Sequence, residues 1–387
     1  MFELSEEQVM IRDTARRMAS DHLTPIAAAL DLGQQRDSFL ANLKRFAEAG
    51  FMGLNINSDF GGSEAGSVAF ALSIEEVARA CASTAVTMSV TNMVAEVIQS
   101  VGSQEQRQAY LPRLCDGTYP AGAFCLTEAG AGSDPSSMKT HARKDGNGWV
   151  LNGQKLFITS AAYAGVFVVW AVTDKTAPHG KGISCFLIEA GTDGLIIDKE
   201  EHKMGQKGSV TNIVRFEDCK VPASAMMGAE NDGFRIAVGE LAGGRIGIAS
   251  LARGIARQAM DMAIAYVQQR EQFGKKIADF QGIQWMIADR ETELEAARLL
   301  ILQAAGLKDA GKPFAKAASM AKLYASEAAQ RACYSALQMH GGAGYINDLP
   351  LERFARDARI TTIYEGTSEV QRLIIARETL REAGAAL

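Results

Sequence analysis

The chain has 387 residues, 47% of them hydrophobic, which is enough for a large core divided over two or three domains. A formal net charge of −5 with no run of Lys or Arg argues against a nucleic-acid partner. The six cysteines (Cys81, Cys115, Cys125, Cys185, Cys219, Cys333) and five histidines form no CxxC, HExxH or mixed Cys/His spacing, which argues against a disulfide framework and a metal site. The opening Met1-Phe2-Glu3-Leu4-Ser5-Glu6-Glu7-Gln8 lacks a basic or apolar leader pattern, and no apolar run could span a bilayer, so a cytoplasmic protein without a membrane span is expected.

The first part of the chain, to about Tyr119, reads as helical. Ser5 with Gln8 forms a capping box for a helix running towards Leu30. Phe39, Leu43 and Phe46 recur at helical spacing before Gly50, and the loop Ser58-Asp59-Phe60-Gly61-Gly62-Ser63 breaks the pattern. Helices follow over roughly Val68 to Cys81 and Ser83 to Ser100, and Ser103 with Gln106 caps another that ends near Cys115.

From Ala121 the texture changes to short β-branched and aromatic runs between glycines. Phe124-Cys125-Leu126-Thr127-Glu128-Ala129-Gly130-Ala131-Gly132-Ser133-Asp134 is a loop of hydroxyls and backbone N–H groups able to hold a heteroaromatic ring edge or a phosphate. It lies between strands, so it is neither a Rossmann fingerprint nor a P-loop. Lys144 to Trp149 reads as a hairpin-type turn. Period-2 alternation then places Phe157 and Thr159 on one strand face. Val166 to Trp170, Ile183 to Ile188 and Thr211 to Glu217 are further strands; with no helix interposed, an antiparallel barrel or sandwich is expected.

After Val221-Pro222 the chain is helical again, over roughly Phe234 to Arg270, Gln281 to Ala305 and Phe314 to Met339. The first of these carries Gly239, Gly243, Gly244, Gly247 and Gly254, which weaken a helix and make sense where another backbone or a ligand packs close. Arg270-Glu271-Gln272-Phe273-Gly274 places an Arg beside an aromatic at a helix end, with Gly274 in the C′ position. Gln338-Met339-His340-Gly341-Gly342 ends another helix in adjacent glycines. Near the C-terminus, Ser368 with Gln371 reads as a capping box, leaving Glu365 in the turn before a helix. Gly366 permits a close backbone approach there, and the helix start offers free N–H groups to an anion.

Together, in this order, these segments resemble the acyl-CoA dehydrogenase family of flavoproteins over essentially the whole chain, most of all its short-chain, butyryl-CoA type at Gly244-Arg245-Ile246-Gly247-Ile248-Ala249-Ser250 and Glu365 to Arg372. The resemblance implies a mostly helical α+β fold: an N-terminal α-helical domain over 1–120, a middle antiparallel β-barrel domain over 121–228 and a C-terminal four-helix bundle over 229–387. It implies bound FAD, an acyl-CoA substrate, an electron-transferring flavoprotein as partner and a homotetramer built as a dimer of dimers. Phe124, Thr127, Ser133, Phe157 and Thr159 would contact the flavin, Ser133 also lying beside the pantetheine arm. Arg270, Gln272, Gln281, Gln338, Gly341 and Gly342 would reach the FAD of a neighbouring subunit, and Thr367 and Glu369 that of their own. Arg245 would wall the active site near the CoA arm, and Gly366 would lie on the thioester side of Glu365.

The implied reaction is α,β-dehydrogenation of a short- or branched-chain acyl-CoA to the trans-2-enoyl-CoA. Glu365 would take the α-proton while the β-hydrogen leaves as hydride to the flavin, the thioester carbonyl being held by the Glu365 N–H and a flavin ribityl hydroxyl. Some relatives place the base just before the helix arginine; here that residue is Gly244. Three departures stand out. Phe157 replaces the usual Trp, Glu369 stands where some members carry Gln, and Ala242 replaces an Asp that binds the pantetheine arm. Two other readings share the fold: an acyl-CoA oxidase or desulfinase, and a non-enzymatic flavin-bearing DNA-binding homologue, which the acidic charge disfavours.

Overall fold

A computed structural model describes residues 3–384. The first capping box is complete: Ser5 Oγ accepts from the Gln8 N–H at 3.2 Å, and Gln8 Oε1 from the Ser5 N–H at 3.1 Å. It opens α1 (Glu6–His22). The expected continuation to Leu30 is interrupted by Pro25 in a 3-10 turn, because proline offers no N–H to the helical ladder; a short α2 (Ala27–Asp31) follows. Next come α3 (Arg36–Glu48), α4 (Gly66–Ala80), α5 (Ala82–Val101) and α6 (Gln104–Cys115). Every residue of α5 from Ala82 to Ala95 is buried, as befits a helix with small and apolar residues all round. The Gln106 side chain, itself part of the capping box of α6, also donates to the carbonyls of Ser224 and Met226 and so ties α6 to the β region.

The middle region contains β1 (Ala121–Cys125), β2 (His141–Asp145), β3 (Gly148–Thr159), β4 (Ala164–Val172), β5 (Ile183–Glu189), β6 (Leu195–Glu200), β7 (Thr211–Pro222) and β8 (Met226–Met227). Their order is β6-β7-β3-β2-β4-β5-β8, with β1 on β4. The expected antiparallel barrel is corrected on two counts. No pairing closes the sheet among the described residues, and it is mixed, since β1 runs parallel to β4 and His141 of β2 bridges Val172 in parallel. The run Gly165-Val166-Phe167-Val168-Val169-Trp170-Ala171 is buried throughout, the mark of an inner strand covered on both faces.

The C-terminal region comprises α7 (Gly233–Val267), the small hairpin β9 (Glu271–Gln272) and β10 (Lys275–Lys276), α8 (Gln281–Asp309), α9 (Ala315–His340), α10 (Gly342–Tyr345), α11 (Leu351–Arg359) and α12 (Ser368–Glu382). α7 packs on α4 and α5 on one side and on α8 and α9 on the other, joining the two helical regions. Its glycines allow that. A Cβ at Gly247 would lie 2.3 Å from Ser89 Oγ, and one at Gly254 would lie 2.3 Å from the Glu75 carbonyl oxygen. Gly274 is not a helix cap: α7 has ended at Val267, and Phe273 and Gly274, with φ of 55° and 74°, form the two-residue turn of the β9–β10 hairpin.

Candidate active site

The segment between α11 and α12 turns through two successive left-handed residues, Glu365 at φ 55° and Gly366 at φ 88°. Such a backbone persists for a non-glycine residue only when its surroundings hold it. Here Gln371 Nε2 donates to the carbonyls of Glu365 (3.1 Å) and Gly366 (2.8 Å), and Lys322 Nζ from α9 donates to the Gly366 carbonyl at 2.8 Å. The Ser368–Gln371 capping box is thereby corrected. Thr367 is the N-cap, accepting from the Val370 N–H at 3.3 Å, and Gln371 turns back to the carbonyls that the left-handed pair leaves without partners. Thr367 thus marks the start of α12, with Glu369 exposed in its first turn.

Glu365 Oε2 is buried with no hydrogen-bond partner. Burial pushes its carboxyl up to about 7, against the opposing pull of Arg245 and Lys322. Arg245 on α7 is 6% exposed; its Nη1 lies 3.4 Å from Ser319 Oγ, while its Nε is buried without a partner. Gly244 lets α7 reach the carboxylate, since a Cβ there would sit 2.8 Å from Glu365 Oε2 and 2.9 Å from Met93 Sδ. A lone buried carboxyl that ionises near neutrality, beside two cations that do not bond to it directly, is suited to accept a proton. Among the described residues the Glu365 N–H has no hydrogen-bond acceptor, so it is available as a donor. Ala242 is buried, and Glu240 accepts from Ser100 Oγ at 2.7 Å, so that carboxylate is already engaged.

The β region brings a second group together. The Leu156 N–H donates to the Thr127 carbonyl at 2.9 Å, placing the glycine-rich loop beside the end of β3. Under both lies a buried ion pair: Lys155 Nζ is 2.8 Å from Glu128 Oε1 and 3.0 Å from the Leu126 carbonyl. The register of β3 shifts between Lys155 and Ile158, Phe157 takes φ 60°, and its ring is 62% exposed. Despite this bulge the expected pairing of Phe157 and Thr159 on one face holds: Phe157 is exposed and Thr159 half-buried, on either side of buried Ile158. Ser133 is exposed on the same loop as Thr127, while Phe124 is half-buried with its ring 4.3 Å from that of Trp170. An exposed aromatic side chain at Phe157, on a strand tied to the Thr127 loop, fits the stacking a flavin ring needs.

The remaining predicted residues lie elsewhere. Arg245 faces Ser319 near the start of α9, whereas Tyr266 stacks on His340 at its end with ring centroids 4.4 Å apart, so α7 and α9 run side by side in the same direction. Twenty-one residues of helix separate Arg245 from Tyr266, or about 30 Å at 1.5 Å per residue. Arg270, Gln272, Gln281, Gln338, Gly341 and Gly342 sit at that far end; all are exposed, and none is brought near Glu365 of the same chain. Four supporting residues escaped the sequence reading: Lys322, Gln371 in its actual role, and the Lys155–Glu128 pair. For Lys155 a signal existed, a lysine directly before the apolar run Leu156-Phe157-Ile158 and four residues before Thr159. For Lys322 there was none, because a lysine in an alanine-rich helix reads as a surface residue.

Comparisons with known proteins give the class to which a chain of this arrangement belongs. Family descriptions match three stretches: Acyl-CoA dehydrogenase, N-terminal domain, over residues 5–118; middle domain, over 123–219; and C-terminal domain, over 231–380. The chain belongs to the acyl-CoA dehydrogenase family of FAD-dependent oxidoreductases and, within it, to the short-chain type. It is 46% identical to the acryloyl-CoA reductase (NADH) of Anaerotignum propionicum, covering 98% of this chain and 96% of that one. It is 45% identical to the mitochondrial short-chain specific acyl-CoA dehydrogenase of Homo sapiens, covering 98% and 91%. A solved chain from work on the electron transferring flavoprotein of Acidaminococcus fermentans and flavin-based electron bifurcation superposes with a TM-score of 0.96 at 42% identity, covering 98% and 100%. No helix among the described residues is long and apolar enough to cross a membrane.

Proposed function

We propose that the protein oxidises a short- or branched-chain acyl-CoA to its trans-2-enoyl-CoA and passes the electrons to an electron-transferring flavoprotein. The observation that carries this reading is the Glu365 carboxyl, buried, without a hydrogen-bond partner and raised to about 7 by desolvation, which is where a base for a weakly acidic α-C–H needs to ionise. Bound FAD supplies the two-electron acceptor. Phe157, Thr127, Thr159 and Ser133 would hold its ring, Phe124 would back the loop, and Thr367 and Glu369 would hold it at the start of α12.

Glu365 Oε2 accepts the α-proton. The free Glu365 N–H donates to the thioester carbonyl as negative charge develops on it, an oxyanion-type contribution. Arg245 and Gly366 wall the substrate, and the absence of a side chain at Gly244 leaves the carboxylate room. Arg270, Gln272, Gln281, Gln338, Gly341 and Gly342, about 30 Å away along α7, serve the FAD of a second subunit, so each FAD site needs at least a dimer, the unit from which a homotetramer is built. The relation to a chain studied with an electron transferring flavoprotein supports that partner, and six unpaired, buried cysteines fit a reducing cytoplasm.

The reductase name carried by one relative favours a second reading, the same chemistry run towards the saturated thioester, with Glu365 returning the proton. An anaerobic flavin-bleaching screen against straight and branched acyl-CoAs, followed by reoxidation with enoyl-CoAs, tests both directions. Bleaching by short acyl-CoAs supports the proposal. Failure of every short acyl-CoA to bleach contradicts it, and direct oxygen consumption would instead indicate an oxidase.

A further inference from the structure

Lys322 lies on α9 with its side chain 0% exposed, and its Nζ donates to the Gly366 carbonyl at 2.8 Å. A buried ammonium is costly to keep charged, so its placement calls for a reason. The carbonyl it holds belongs to the second of the two left-handed residues, and Gln371 holds the same carbonyl and the one before it. Three hydrogen bonds on two carbonyls over-determine a turn that would otherwise relax. The charged groups facing Glu365 are Arg245 from α7 and Lys322 from α9. Those facing Lys322 are Glu365, Arg245, Glu369 from α12 and Glu327 from its own helix.

We propose that Lys322 is a positioning residue for the Glu365 base: its N–H fixes the Glu365–Gly366 turn, and its positive charge keeps the carboxylate available for the α-proton at neutral pH. The inference rests on Glu365 being the base. Burial lowers the Lys322 ammonium to about 8, so it remains mostly charged at neutral pH.

The test is the rate of anaerobic flavin bleaching by butyryl-CoA as a function of pH, in FAD-loaded wild type, Lys322→Gln, Lys322→Arg and Glu365→Gln, with FAD content and Tm measured alongside. Lys322→Gln keeps a donor for the carbonyl and removes the charge. Its midpoint for the rise of rate with pH should move up by about one unit, with roughly tenfold slower bleaching below the midpoint. Lys322→Arg should restore the wild-type midpoint. Where Lys322→Gln does not retain FAD, Lys322→Met fills the buried stem and reads the same shift. A midpoint unmoved by loss of the charge, or moved equally by Arg, overturns the inference. Glu365→Gln separates the two readings: if it bleaches like wild type, the base is elsewhere, whereas an inactive Glu365→Gln with an unmoved Lys322→Gln midpoint sinks the role of Lys322 alone.

Discussion

At the scale of single residues, Glu365 departs from the ordinary behaviour of its type. A glutamate ordinarily ionises near 4.5, and burial lifts this one to about 7. Between those values the native chain holds a proton that the unfolded chain releases, so this group makes the fold less stable as pH rises through that window. Glutamine mimics the protonated form at every pH. Wild type and Glu365→Gln should therefore have similar stabilities near pH 5, with the variant ahead by up to about 3 kcal/mol near pH 8. Denaturant titration of both proteins across pH checks this, and a pH-independent difference would count against a buried, raised carboxyl. The position of Glu365 in a turn before a helix was readable from the sequence, but what supports that turn was not. Gln371 sits at the spacing of a capping box, and only the three-dimensional course of the two left-handed residues shows that its amide serves their carbonyls instead.

At the scale of elements, α7 carries both function and architecture through the same device, a glycine facing a close neighbour. At Gly244 the neighbour is a side chain, the Glu365 carboxylate. At Gly254 it is backbone, the Glu75 carbonyl, with Ala78 Cβ 2.8 Å from the added methyl. Gly244→Ala should therefore slow flavin reduction at least ~10-fold by displacing the base, with little change in Tm. Gly254→Ala should instead cost about 1–3 kcal/mol of stability, because α4 and α7 must move apart, and leave the rate per folded site unchanged. Comparing Tm with single-turnover rate for the two variants separates the effects, and equal loss of both quantities in each would contradict the distinction. That Gly244, Gly247 and Gly254 mark close approaches was legible from the number of glycines in one helix, whereas Gly239 of the same set faces open space. The fate of Gly274 was not, since a glycine after a helix and a glycine in a two-residue hairpin share the same left-handed backbone. Closure of the sheet was equally out of reach, because strand patterning fixes which faces are buried and says nothing of whether the edge strands meet.

At the scale of the whole molecule, the predicted site residues on and beside the long helices divide into one group at Glu365 and Arg245 and another at the far end of α7 and α9. Helix lengths alone keep them about 30 Å apart within a chain. The order of helical, β and helical regions could be read from composition and periodicity, because each region is long enough to carry its own signal. The separation of the two groups could not, since it depends on α7 and α9 lying side by side. If the far group completes the FAD site of a second subunit, Arg270→Ala should weaken FAD retention and subunit association together. Gel filtration with light scattering and absorbance at the flavin band reads both; a monomer with stoichiometric FAD would contradict the arrangement.

The central claim is that Glu365 is the base that opens the reaction, and single-turnover anaerobic mixing of butyryl-CoA with FAD-loaded wild type and Glu365→Gln tests it most directly. The account predicts that the variant retains FAD and binds butyryl-CoA yet reduces its flavin at least ~10²-fold more slowly. Flavin reduction by Glu365→Gln at close to the wild-type rate would contradict it.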